Sequence, residues 1–379
     1  MKLRNILSVF CFLAAMASCS MEDDTVMNDL GGMIETTGDN VYLSVNIGTG
    51  NGITKAATTG SANDADYSIS GDLINRCILY LLDGDKVLAV TDTILKTEEG
   101  ADDYKSSLKM KFLTKVSKNS LKLVAVVNYD GTLKSNYLAC STLSKLEAIR
   151  ETNAQNRVMV GQVDGIKLTE GSPSTKDAPT TDAGKIVVTP RVACIDLIGF
   201  NVKYKTEKHP EVKLTGIYYN NLKKEVGLFD EGKNDFETSW QEDLNFFRKN
   251  VPDVEPGVPF PEGALTVEDK GDETGNCNDK LSLNKSFFVT FPNQNAGTPV
   301  QMKITFTVDG KGYDRTYIIN RPFENDGSFT NTTGTKYVNP GYWYRLKATV
   351  NISSDKVDCD VVCYTQDWIN HDITGSLTR

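Results

Sequence analysis

The chain has 379 residues and a formal net charge of −9, and only His209 and His371 are histidines. A negative charge without clustered Lys and Arg excludes a nucleic-acid-binding protein, because phosphates require clustered positive charge. Scarce histidine argues against acid–base catalysis and metal binding near neutral pH, and no Cys-x-x-Cys pair has the spacing of a zinc or redox site. We therefore expect a protein that is not an enzyme and that binds no metal, cofactor or nucleic acid.

The N-terminus has the pattern of an export signal. A positively charged start is followed by an apolar run, and small residues come directly before Cys19. A cysteine at this place is typical of a bacterial lipoprotein, in which the thiol is acylated before cleavage. The pattern predicts a signal peptide over residues 1–18, lipidation at Cys19 and a tether over residues 19–40, with acyl chains holding the precursor in the outer membrane. An ordinary cleaved signal with a chance cysteine is the alternative.

Apolar and polar residues alternate directly after this tether, which predicts a half-buried β-strand over residues 41–47. The apolar face consists of Val41, Leu43, Val45 and Ile47. The glycine-rich segment that follows carries one basic residue, Lys55, before Ala56. Because such a segment is flexible enough to enter a protease cleft, cleavage of the Lys55–Ala56 bond would detach the first strand covalently. Alternatively, the strand is a permanent edge strand and Lys55 stays uncut.

Period-two alternation dominates the rest of the chain, and helical periodicity is scarce, so we expect mostly β-structure. The clearest example is residues 300–308, which precede the turn Asp309-Gly310 and a second run at 313–319, as in a hairpin. One short helix is predicted at residues 141–151. Further strands are predicted at residues 74–82, 86–91, 121–128, 185–189, 193–204, 212–219, 287–291, 342–352 and 356–364.

A polar stretch rich in Ser, Thr and Pro separates two groups of predicted strands. We place a domain boundary there, which gives domains over residues 41–184 and 185–379. An irregular, proline-containing region at 231–280 is predicted to be an insertion in the second domain.

The C-terminal segment 356–379 repeats the alternation of the first strand, since Val357, Cys359, Val361 and Cys363 share one face and Trp368 follows. In an extended strand Cys359 and Cys363 would lie about 13 Å apart, too far for a disulfide. Every other disulfide pairing among the six cysteines stays open, at Cys77, Cys140, Cys194, Cys277, Cys359 and Cys363.

In their order along the chain, four features resemble the fimbrillins, the subunits of type V pili in anaerobic Gram-negative bacteria. They are the lipoprotein signal, the early strand before a cleavable loop, PRVACIDLIGFNVKY at residues 190–204, and GYWYRLKATVNI followed by DVVCYTQDW near the C-terminus. The resemblance implies an all-β fold of two tandem transthyretin-like or Greek-key β-sandwich domains, with one or two short helices.

The resemblance also implies a structural subunit of a cell-surface fimbria that supports adhesion. Such subunits polymerise by protease-gated donor-strand exchange, in which a C-terminal strand fills the groove that a cleaved first strand leaves. The implied partners are other fimbrial subunits in a homopolymer, a processing protease, the outer membrane through the precursor's lipid, and a ligand on a host or bacterial surface. Processing in the family usually follows arginine, whereas Lys55 is the basic residue of this loop.

Two other functional classes are alternatives to a fimbrial subunit. A lipid-anchored glycan-binding protein would need an exposed aromatic platform, for which Trp240 with Phe236, Phe246 and Phe247 is the candidate; the same residues could instead form a small core. A hydrolase has no support, because the chain has no nucleophile elbow and its adjacent acidic pairs are typical of solvated turns. Whether the subunit forms the stalk, the anchor or the tip stays open.

Overall fold

The computed structural model describes residues 40–49, 74, 76–94, 107–113, 120–167, 181–230, 232–250, 265–267, 278–281, 283, 287–319 and 338–367. The predicted features outside these residues include the signal peptide 1–18, lipidation at Cys19, the Lys55–Ala56 bond, Cys277 and Trp368.

The N-terminal half is built from short and medium strands with two helices between them. Its strands are β1 (Asn40–Thr49), β2 (Arg76–Asp83), β3 (Lys86–Ile94), β4 (Ser107–Leu113), β5 (Leu121–Val127), β6 (Arg150–Glu151), β7 (Met159–Ile166) and β8 (Thr181–Pro190). The helices are α1 (Lys134–Leu138) and α2 (Leu143–Glu147), with 3₁₀ turns at Gly131–Leu133 and Ala154–Asn156.

The C-terminal half continues with strands and one helix. Its elements are β9 (Ala193–Tyr204), β10 (Val212–Asn220), β11 (Leu222–Lys223), β12 (Val226–Gly227), β13 (Phe236–Glu237), β14 (Gln241–Glu242), α3 (Leu244–Asn250), β15 (Leu265–Thr266), β16 (Asn278–Leu281), β17 (Phe288–Thr290), β18 (Gln301–Val308), β19 (Lys311–Ile318), β20 (Tyr342–Ile352) and β21 (Val357–Asp367). The expected all-β fold with few short helices is confirmed. None of the described helices is long and apolar enough to cross a membrane.

The helix that the sequence predicts at residues 141–151 is shorter in the structure, where α2 spans Leu143–Glu147. The hydroxyl of Thr142 accepts a hydrogen bond from the Lys145 amide at 3.2 Å and caps α2, which ends at Glu147. Residues Arg150 and Glu151 are extended instead, because they pair with Val226 and Gly227 of β12. A tertiary strand pairing therefore overrides the local helical pattern at the end of this segment.

The N-terminal sheet has the order β3-β2-β5-β7-β8-β1-β4 among the described strands. Only the β1–β8 pair is parallel. Residues of β1 and β8 share one buried cluster with residues of β2 and β5, so the sheet folds over its own core. Gly161 allows β7 to approach β8 closely, because a Cβ atom at residue 161 would collide with the carbonyl oxygen of Val187 on β8.

The C-terminal half is a sandwich of two sheets with the orders β14-β10-β18-β19 and β16-β9-β20-β21. Alternate residues of β18 are buried, as the period-two pattern predicted. The predicted hairpin is also present: Asp309 and Gly310 both have positive φ and join β18 to β19, as a two-residue turn requires. Phe246 of the predicted insertion, with Leu265 and Val267, belongs to this core.

A third buried cluster joins the two halves. The strands β2 and β5 bury both faces, one in the N-terminal core and the other against residues of the C-terminal half such as Val226, Phe291 and Trp343. The hydroxyl of Tyr80 donates to the carbonyl of Tyr137 at 2.9 Å within this cluster. The predicted boundary at residue 184 lies inside β8, so the strand pairing of the N-terminal sheet extends beyond it.

Candidate functional site

The first described strand occupies an interior position. β1 lies between two neighbours, pairing in parallel with β8 from Leu43 to Thr49 and antiparallel with β4 from Asn40 to Asn46. The alternative interpretation of β1 as an edge strand is therefore wrong. An interior strand that leaves a sheet exposes unpaired backbone groups on both of its neighbours.

The inward side chains of β1 form part of the N-terminal core. Leu43 and Val45 are 0% exposed and Ile47 is 2% exposed. They pack with residues of β2, β5 and β8 in one cluster. Burial of each such side chain contributes about 1.5–3 kcal/mol, so β1 stabilises this half of the molecule substantially. We call the space that β1 fills between β8 and β4 the β1 slot.

The strand β4 depends on β1 for its place in the sheet. Among the described strands, β4 pairs with β1 and with no other. Loss of β1 would therefore separate β4 from the sheet as well as opening the slot. The sequence analysis did not predict β4, although Leu108, Met110 and Phe112 alternate there with Lys109 and Lys111.

The C-terminal donor candidate is an edge strand. β21 pairs antiparallel with β20 from Val357 to Asp367 and has no second described neighbour. Cys359 and Cys363 are 9% and 5% exposed and belong to the C-terminal core, while Val357 and Val361 pack against it. Burial raises the pKa of the Cys359 thiol to about 12 and raises that of Cys363 further, so both are protonated at neutral pH. Neither forms a disulfide.

The outward face of β21 carries two carboxylates. Asp358 lies 2.6 Å from the Lys356 ammonium and 3.5 Å from the Arg315 guanidinium. Hydrogen bonds from Lys356 and from the Cys359 amide lower the pKa of Asp358. Asp360 accepts a hydrogen bond from the Asn351 side chain at 2.8 Å. Asp358 is therefore ionised at neutral pH, and both carboxylates lie on the solvent side of this edge strand.

The structure does not bring the two predicted exchange segments together. β1 belongs to the N-terminal sheet and β21 to a sheet of the C-terminal sandwich. Because β21 is paired with β20 from Val357 to Asp367, any exchange into the place of β1, within one chain or between copies, would require β21 to leave its own sheet.

The aromatic residues proposed as a glycan platform do not form one exposed surface. Phe246 is 0% exposed and lies in the C-terminal core. Trp240 is half-buried, and the Lys303 ammonium lies 4.6 Å from its ring centroid and 4.9 Å from that of Tyr218. This arrangement is a cation–π contact on the outer side of β10 and β18.

Two buried carboxylates lie away from these strands. Glu151 accepts hydrogen bonds from the Tyr137 hydroxyl at 2.7 Å and from the Asp130 amide, but burial still raises its pKa. Burial raises the pKa of Asp243 to about 6, although the Phe246 amide donates to it at 3.0 Å. Among the described residues, no group of His, Cys, Asp and Glu side chains is placed to hold a metal ion.

By the fold of its described residues, this is an all-β protein of two strand assemblies that are joined by a buried core, and the first described strand lies inside a sheet. No protein-family model matches the sequence, and no curated protein matches it significantly. The fold is shared with solved structures. A fimbrilin (FimA) from Porphyromonas gingivalis W83 aligns with a TM-score of 0.51 at 15% identity, covering 87% of this chain and 98% of that chain.

A candidate cell adhesion protein from Parabacteroides distasonis aligns equally well. Its TM-score is 0.51 at 15% identity, with 86% of this chain and 97% of that chain covered. At such low identity the likeness establishes the fold over nearly the whole length of both proteins. It agrees with the all-β architecture that the sequence predicts.

Proposed function

We propose that this chain is a structural subunit of a cell-surface fimbria that polymerises by donor-strand exchange. The observation that carries the proposal is the interior position of β1, which directly precedes the glycine-rich segment containing Lys55. A protein with this arrangement can be stable before cleavage and can accept a strand afterwards. The shared fold of the P. gingivalis fimbrilin supports the same role.

In this proposal the precursor is exported, acylated at Cys19 and held in the outer membrane. A protease then cuts the Lys55–Ala56 bond, and the segment with Val41, Leu43, Val45 and Ile47 leaves the sheet. The C-terminal strand of another copy enters the β1 slot, with Trp368 following it. The role is structural and supports adhesion, and the polymer forms from copies of this chain and other fimbrial subunits.

The energetics favour exchange only after cleavage. In the uncut chain β1 is tethered to its slot, so its effective concentration is far above that of any donor from another molecule. Once β1 is lost, a donor that refills the slot regains about 1.5–3 kcal/mol for each buried apolar side chain, before ordering costs. Cleavage therefore acts as the switch between a monomer and a polymer.

Limited trypsin treatment of the soluble chain starting at Ser20 tests this function. Uncut protein should remain monomeric, and cut protein should form ladders that resist mild heating on a denaturing gel. The variant Lys55→Ala, treated in the same way, should stay monomeric, because the loop lacks another basic residue. Ladders of equal yield from Lys55→Ala would refute cleavage at this bond.

A chain that ends before Val357 is the matched control for the donor. It should fail to extend the ladders, while its circular dichroism and thermal unfolding report whether the monomer still folds. A folded, truncated protein that polymerises as well as the full chain would refute a C-terminal donor.

A further inference from the structure

A strand that replaces β1 meets two neighbours of opposite direction, β8 and β4. The β21 strand of a second copy therefore has two ways to enter, in the direction of β1 or reversed. If the proposed strand exchange takes place, the residues of β21 and of the slot distinguish these two directions.

The apolar positions of β21 repeat those of β1 in the same order along the chain. When Cys359 takes the place of Leu43, the valines Val357 and Val361 fall on the places of two valines of β1, and Cys363 falls on the place of Ile47.

In the reversed direction with Val361 at the place of Leu43, all four places stay apolar, but no valine falls on a valine. In the reversed direction with Cys359 at the place of Leu43, the valines coincide, but Asp355 falls on the place of Ile47. Only the direction of β1 matches both valines and keeps all four inward places apolar.

The outward positions distinguish the directions by charge. Tyr42 and Ser44 are the register partners of Lys111 and Lys109 on β4. In the direction of β1, Asp358 would take the place of Tyr42, opposite Lys111.

Asp360 would take the place of Ser44, opposite Lys109. In the reversed direction that keeps all four inward places apolar, Val362 would take the place of Tyr42, and Asp360 opposite Lys109 would be the one carboxylate facing a lysine of β4. Opposite charges across an antiparallel pair are favourable, so the apolar fit and the charges of β4 together favour the direction of β1.

The second neighbour, β8, would add one repulsive contact and one neutral contact when β21 runs in the direction of β1. On β8, Asp182 is the register partner of Ser44, and Lys185 is the partner of Asn46. Asp360 would thus have one acidic neighbour on β8 and one basic neighbour on β4, whereas Asp358 would face Lys111 without an acidic register partner on β8. The balance over both neighbours remains favourable for the direction of β1.

We propose that β21 of one copy enters the β1 slot of the next copy in the direction of β1, with Cys359 at the place of Leu43. Asp358 and Asp360 then exchange the contacts they make beside β20 for Lys111 and Lys109 of the acceptor. The pairing sets both the direction and the register of the polymer contact.

A disulfide trap tests this register, because Met110 on β4 is the register partner of Leu43. Partners in an antiparallel pair have Cα atoms about 4.5–5.5 Å apart, within disulfide range. The variant Met110→Cys is combined either with Cys363→Ala or with Cys359→Ala. Each protein is cut with trypsin, allowed to polymerise and exposed to oxidised glutathione, which accepts the two electrons and two protons of the two thiols and leaves as two reduced glutathiones.

The Met110→Cys/Cys363→Ala protein should give ladders that survive full denaturation and disappear on reduction. Peptide mapping should find the introduced thiol joined to Cys359. The Met110→Cys/Cys359→Ala protein should give at least about tenfold less covalent ladder, since Cys363 lies four residues away along the strand at about 3.3 Å per residue. Unprocessed samples of both variants serve as controls and should not crosslink.

The possible failures are distinguishable. Covalent ladders only in the Cys359→Ala background would place Cys363 instead of Cys359 opposite Met110 and would overturn the proposed register. Ladders that form without a covalent link in either background would overturn the register while leaving strand exchange intact. Absence of any ladder, also from the cut wild-type chain, would refute the proposed function and this inference with it.

Charge reversal provides an independent readout of the same register. Lys109→Glu/Lys111→Glu in the acceptor should slow ladder growth about tenfold, because two attractive cross-strand pairs become repulsive. Adding Asp358→Lys/Asp360→Lys to the same chain should restore growth to within about threefold of the wild type. Failure of the combined variant to recover, with an unfolding temperature unchanged from that of the acceptor variant, would overturn the pairing.

Discussion

The two halves of the molecule place their terminal strands differently. In the N-terminal half the order β8-β1-β4 combines one parallel and one antiparallel pair, and in the C-terminal half β9-β20-β21 does the same. The first described strand, β1, holds the interior position of its set, whereas the last described strand, β21, holds the edge among the described strands. More of the described structure therefore depends on β1 than on β21.

Under the proposed strand exchange, this difference would allow one subunit both to accept and to donate a strand. Departure of β1 removes the only described partner of β4 and opens the N-terminal core, so the vacated slot strongly favours a replacement. Departure of β21 leaves β20 still paired with β9 from Trp343 to Ile352. Loss of β1 would therefore disturb the described structure more than release of β21 would.

The comparison is tested most strongly by matched truncations of one inward side chain in each strand. Leu43→Ala should lower the free energy of unfolding of the uncut chain by about 4 kcal/mol, because it leaves a cavity in a closed core. Cys363→Ala should lower it by about 1 kcal/mol, since it removes one sulfur atom at a sheet edge. Urea unfolding followed by circular dichroism measures both. Equal losses would show that β21 is as firmly held as β1.

The pH dependence of the free energy of unfolding tests the buried carboxylate of Asp243 in the C-terminal half. The pKa of Asp243 is about 6 in the folded chain, against an ordinary value of 3.8. Because the folded state holds the proton more tightly, the contribution of Asp243 is fully present below pH 4. It is lost as the pH rises to 6 and corresponds to about 3 kcal/mol. Asp243→Asn should remove this part of the pH dependence while still capping α3.

The exposed Asp235→Asn is the control for this titration. The Asp235 side chain is 62% exposed, and its replacement removes one carboxylate as Asp243→Asn does, so it controls for the change in net charge. The measurement is the free energy of unfolding of the three proteins between pH 4 and 7.5. Parallel profiles for wild type and Asp243→Asn would contradict the pKa shift.

A smaller effect is expected from a pair of glycines, one in each half. Gly161→Ala should lower the free energy of unfolding by about 2 kcal/mol, because the new methyl group meets the backbone of β8 at Val187. Gly199→Ala should change it by less than about 0.5 kcal/mol, since its methyl group would meet only the flexible Lys347 side chain at 3.4 Å. A larger loss from Gly199→Ala than from Gly161→Ala would show that the close backbone approach lies at Gly199 and not at Gly161.

Much of the fold could be predicted from the sequence because alternation is a local signal. The predicted bounds of β9 and β20 agree with the structure, and those of β2, β10 and β18 differ by one or two residues. The strands β4 and β7 were not predicted. β4 does alternate over residues 107–113 and is longer than several predicted strands, so its pattern was sufficient to predict it.

The interior position of β1 could not be predicted in the same way. Alternation of Leu43, Val45 and Ile47 shows that one face is buried, and an edge strand gives the same pattern. Whether a strand has one neighbour or two depends on β8 and β4, which lie far along the chain and leave no local mark on β1. The interior position of β1 therefore follows from the strand pairing in the structure and not from the sequence pattern alone.

The most direct test of the account is the N-terminal sequence of this protein recovered from cell-surface filaments. Strand exchange after cleavage predicts that the mature subunit begins at Ala56 and lacks residues 41–47. Filaments whose subunits still contain covalently attached Val41 to Ile47 would contradict it.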